Sequence, residues 1–103
     1  MSQFTVYRNP NKKTRRIAPY LVDLQVELLS GLHTRVVAPL LLAAEIRPAQ
    51  HLNPTFQIEG KSVVMSTAEL AGIPTDALGE EVASLKDHRP EIIAALDFLF
   101  TGV

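Results

Sequence analysis

Three histidines (His33, His51 and His88), the adjacent carboxylates Glu80 and Glu81, and the pair Arg35 and Thr67 are the side chains whose types could do chemistry in this 103-residue sequence. Metal binding by the histidines needs two or more on one face. They are scattered and flanked by turn residues, with no pair at a spacing that would place two ligands together on a helix. Glu80 and Glu81, being neighbours, point to different sides of either a strand or a helix, whereas catalytic carboxylates converge. The pair reads as a solvated acidic turn after Gly79. An arginine can neutralise a developing phosphorane charge, so Arg35 with Thr67 admits an RNA-cleaving site as a second reading. Nothing marks a general base beside them, and the first reading of Arg35 is an exposed arginine on a sheet. There is no cysteine, which removes disulfides, thiolate zinc sites and a cysteine nucleophile together. No glycine-rich phosphate loop or nucleophile elbow is present, so no cofactor is implied and the chain does not read as an enzyme.

Charge is unevenly placed. Arg8, Lys12, Lys13, Arg15 and Arg16 put five positive charges and no acid in the first 16 residues, leaving −6 for the remainder of a chain whose net charge is −1. Such a patch can steer phosphate backbones, but a charge-rich hairpin tip is more often simply solvated, and these five cations read as such a tip. The acidic body argues against broad nucleic-acid binding, and no sequence-specific contact is expected of the chain alone.

These residues need a scaffold. Apolar residues at 47% and charged residues at 20% describe a globular protein rather than a disordered one. A second core would need roughly 50 more residues, so residues 1–103 are expected to form one domain. No apolar run reaches signal-peptide or membrane-spanning length, which favours a cytoplasmic protein with no membrane partner. Phe4 and Val6 read as a strand entering the loop Asn9-Pro10-Asn11. Val22 to Leu28 alternates strictly, with Val22, Leu24, Val26 and Leu28 on one face and Asp23, Gln25 and Glu27 on the other. Thr34 to Leu40 is a third strand. Phe56 and Ile58, then Glu59-Gly60, then Val63 to Met65 form a hairpin. Leu40 to Ala49 is a packed loop or a helical turn, and Ser66 to Gly72 is a strand or a short helix.

The last element is a helix, with Asp87 as its cap, Pro90 in its first turn and Gly102 at its end. After Glu91 only Asp97 interrupts its apolar residues, so one small core cannot bury every face. A homodimer is expected. Strands followed by one helix indicate a mainly antiparallel β domain with a C-terminal helix packed at one end.

The ordered segments Gln3 to Tyr7, Tyr20 to Gln25 with Leu28-Leu29, Thr34 to Leu40, Pro54 to Ile58, Met65-Ser66-Thr67, Ile73-Pro74, Gly79 to Ala83 with Leu85, and Phe100-Thr101-Gly102-Val103 resemble the CcdB toxins across essentially the whole chain. The resemblance implies an SH3-like antiparallel barrel shared with the MazF ribonuclease toxins and a dimer with C-terminal helices at its interface. It implies binding to the DNA gyrase A subunit while that enzyme holds cleaved DNA, and neutralisation by a CcdA-like antitoxin with a disordered tail. Carried over by position, the gyrase-contacting residues are Thr101, Gly102 and Val103, with Leu28, Leu29 and Asp97 nearby. The best-known members have tryptophan where Thr101 stands and asparagine where Asp97 stands.

Overall fold

A computed structural model describes residues 2–103. Seven strands run β1 (Thr5–Arg8), β2 (Tyr20–Asp23), β3 (Thr34–Leu42), β4 (Thr55–Ile58), β5 (Lys61–Met65), β6 (Ala71–Pro74) and β7 (Glu81–Ser84), and the helix α1 (Arg89–Thr101) follows. They form a single antiparallel sheet in the order β4-β5-β3-β2-β1-β7. β3 is long enough to pair twice along one edge, with β6 beside Thr34 to Val37 and β5 beside Leu40 to Leu42. The sheet curls into a half-barrel, and α1 closes it.

One face carries the apolar core. Val6, Tyr20, Val22, Ala38, Leu40, Val63 and Met65 pack there with Phe56, Ile58 and Leu85, and Ile92 and Ala95 of α1 complete the cluster. The hairpin from Phe56 to Met65 forms as its sequence indicates. Its two-residue turn has positive φ at both Glu59 (52°) and Gly60 (77°), the twist that suits antiparallel strands. The ambiguous stretches resolve as one 3-10 turn at Ala43–Glu45 and another at Thr67–Glu69 before β6.

The opposite face is buried in part: Tyr7, Asp23, Arg35 and Val37 are buried there, while Leu21, Pro39 and Leu41 are half-buried. From β6 the chain crosses it through Thr75 to Glu80 and reaches β1, where Gly79 N–H donates to Arg8 C=O (3.0 Å) and Arg8 N–H to Glu80 C=O (2.9 Å). A Cβ on Gly79 would stand 2.6 Å from the Arg8 carbonyl oxygen, so this approach requires glycine.

Three expectations are corrected. Alternation through Leu28 does not continue as a strand: β2 ends at Asp23, and Glu27–Leu29 is a 3-10 turn. Asp87 does not cap α1; it lies in the 3-10 turn Lys86–His88, and the capping position is His88, with no side-chain cap bond. Arg35 is fully buried rather than exposed.

Candidate functional site: the helix end and the loop after β2

The register places Arg35 and Asp23 on the face opposite the apolar core, and neither side chain touches solvent. Arg35 Nε and Nη2 both reach Asp23 Oδ2, at 2.9 and 2.7 Å, and Nη2 also donates to the Gln25 carbonyl at 2.9 Å. Gln25 N–H in turn donates to Asp23 Oδ1 (3.0 Å). This knot ends β2, because it turns the backbone at Gln25 out of the ladder. Tyr7 is buried on the same side; burial, with Asp23 and Glu81 adding to it, raises its phenol pKa. Thr67 is buried too, and its hydroxyl donates to the Leu52 carbonyl. Arg35 and Thr67 are thus internal ties that present nothing to an RNA backbone.

Beyond the knot, the loop displays apolar side chains. Leu28 is 89% exposed, and Val26, Leu29 and Leu32 are each about half exposed.

The end of α1 is the second display. Ile92, Ala95, Leu96 and Leu99 lie at i, i+3, i+4 and i+7; Ile92 and Ala95 are buried and the other two are half-buried. Phe98 is half-buried and Phe100 mostly exposed. Thr101 Oγ1 donates back to the Asp97 carbonyl (2.6 Å), so this side chain is folded onto the helix. Gly102 adopts φ 76° and its N–H donates to the Phe98 carbonyl (2.9 Å), which terminates the helix and sends Val103, 88% exposed, away from it. Asp97 is exposed one turn before. A groove of about 740 Å³ runs beside this tip between the loop Pro48 to Pro54 and α1, with Gly102 and Val103 on its rim. His51, itself at φ 70°, packs its ring 5.9 Å from that of Phe98 there.

A further cluster was not legible in the sequence. Arg8 makes a two-pronged contact with Glu59 (2.9 and 2.7 Å) and also bonds Glu80, while the Tyr20 hydroxyl donates to Glu59 (2.6 Å). It fastens the β4-β5 turn to the β1 and β2 end and stabilises the positive φ of Glu59. Arg8 and Tyr20 hold the Glu59 carboxyl down at about 2; burial, then Glu59, pushes Tyr20 up to about 12. Glu80 is therefore an ion-pair partner as well as part of a turn. The other cations of the loop, Lys12, Lys13, Arg15 and Arg16, are exposed on a turn held by Asn9 and Asn11. Among the described residues no cluster of side chains could hold a metal ion, and no helix is long and apolar enough to cross a membrane.

A curled antiparallel sheet of short strands closed by one C-terminal helix defines a half-barrel protein of the mainly β class. A family model described as CcdB protein matches residues 3–102, and the chain belongs to the CcdB family. Membership implies the toxin of a toxin–antitoxin system, one that poisons DNA gyrase rather than catalysing a reaction.

Proposed function

We propose that this protein kills by binding the DNA gyrase A subunit while the enzyme holds cleaved DNA, blocking religation, and that a CcdA-like antitoxin with a disordered tail reverses the block. The observation that carries this reading is the exposed helix end: Phe100, Gly102 and Val103 stand clear of the core on a helix whose other face is anchored by Ile92 and Ala95. The contact residues are Thr101, Gly102 and Val103, with Leu28, Leu29 and Asp97 flanking. Thr101, turned back onto Asp97, contributes little reach, so Gly102 and Val103 carry more of the contact. The working species is a homodimer, which supplies cover for the apolar surface that one sheet leaves on α1.

The test is a cleavage assay with gyrase, supercoiled DNA, ATP and the protein. Linear DNA with gyrase covalently attached is the expected product; none at micromolar protein overturns the proposal. Deleting Thr101 to Val103 should abolish the product, since losing a few central contacts costs about 2 kcal/mol or more, roughly thirtyfold in affinity.

A further inference from the structure

The loop after β2 poses a physical problem. Val26, Leu28, Leu29 and Leu32 are aliphatic, within seven residues of one another, and about half or more exposed. A slack loop of that composition would collapse onto the nearest apolar surface or aggregate. Its conformation is instead set from beneath by one side chain. The buried Gln25 amide spans the neck of the loop: Nε2 donates to the Leu29 carbonyl and to the Thr34 carbonyl, both at 3.2 Å, and Oε1 accepts from Val36 N–H at 3.0 Å. Its own carbonyl is held by Arg35, and its N–H by Asp23. Every polar group of Gln25 is thereby engaged across the base of the loop. Inside it, Leu29 N–H to Val26 C=O, Ser30 N–H to Glu27 C=O and Leu32 N–H to Leu29 C=O close successive turns.

We propose that Gln25, seated on the buried Asp23 and Arg35 pair, is a positioning residue that holds the aliphatic knob of Val26, Leu28, Leu29 and Leu32 in its binding shape before the target arrives. The proposal rests on the gyrase reading for the identity of the target, but its structural half stands apart from it. Leucine has nearly the volume of glutamine and none of its donors or acceptors, so Gln25→Leu removes the clamp and keeps the packing. A target meeting the slack loop must order it during binding, and affinity falls accordingly.

Amide hydrogen exchange and binding to a gyrase A fragment test this together. In the wild-type protein the amides of Ser30, Leu32 and Val36 should be protected well above unfolded-chain rates. In Gln25→Leu that protection should drop at least tenfold across residues 27–36, while Val22, Leu40 and Met65 keep theirs and gyrase A binding weakens about tenfold or more. A control, Leu28→Ser, should weaken binding without altering loop exchange, a split that general destabilisation does not produce. Unprotected loop amides in the wild type overturn the proposal, even if Gln25→Leu does not fold. Unchanged loop exchange in Gln25→Leu also overturns it, as does a loosened loop that binds as tightly as before. If the wild type does not bind gyrase A at all, the functional reading fails, and the exchange data still decide whether Gln25 clamps the loop.

Discussion

Two arginines in this half-barrel each meet carboxylates, in opposite surroundings. Arg35 and Asp23 have no solvent-exposed side-chain surface, whereas Arg8, Glu59 and Glu80 keep 43%, 37% and 68% of theirs. The interior pair is surrounded by low dielectric. Each charge there depends on the other, because the protein has removed its water, and breaking such a pair singly costs about 3–5 kcal/mol. The surface cluster has better-distributed partners, yet water competes for every one of them, and exposed pairs contribute about 0–1 kcal/mol. Equal chemistry therefore gives the first pair control over where β2 ends and the second only a fastening of the β4-β5 turn.

The largest effect should come from Arg35→Ala, which leaves the Asp23 carboxylate buried and unpaired. A loss of about 3–5 kcal/mol is expected in urea unfolding. Joint replacement of Asp23 and Arg35 by Leu and Met should recover part of that loss; a double variant less stable than Arg35→Ala would contradict the burial argument. Gly79→Ala comes next, since its methyl group would meet the Arg8 carbonyl and force the crossing segment away from β1. About 1–3 kcal/mol should be lost, as for overpacking elsewhere, with the melting temperature as the measure.

Arg8→Ala should lower stability far less than Arg35→Ala does, and the difference from wild type should shrink in 1 M salt; a salt-independent effect would show that the surface cluster behaves as the buried one does. The smallest effect concerns pH. Glu59 titrates near 2 in the folded protein, below its ordinary value of 4.5, so its contribution is complete above that ordinary value and is lost as pH falls toward 2. Comparing wild type with Glu59→Gln in acid unfolding should show the two curves converging across that interval, and parallel curves would refute the assignment.

The comparison also explains what was hidden in the sequence. Asp23 and Gln25 alternate with Val22 and Leu24, a pattern that marks one apolar face and assigns the polar residues to water. Alternation records only chemical contrast between the two faces. It carries no information about β6, which pairs with β3 beside Arg35 from some fifty residues later, nor about the burial of Asp23 and Arg35 on the second face. Leu28 fits the same alternation, but it belongs to the loop that the knot turns outward. Arg8 and Glu59 were equally hidden, being 51 residues apart and joined only by the curl of the sheet.

By itself the sequence determined the elements whose causes are local: the Glu59-Gly60 turn with its flanking strands, the Pro90 start and Gly102 end of α1, and the excess of apolar surface on that helix. These depend on φ preferences and on the order of apolar residues along a few turns of chain. The ordered segments from Gln3 to Val103 also carried the family resemblance. Tertiary structure alone decided that the sheet curls, that Arg8 meets Glu59 and that Arg35 is internal with Asp23. Burial and ion pairing between distant residues depend on register and on crossing connections, and those are fixed only when the whole sheet closes.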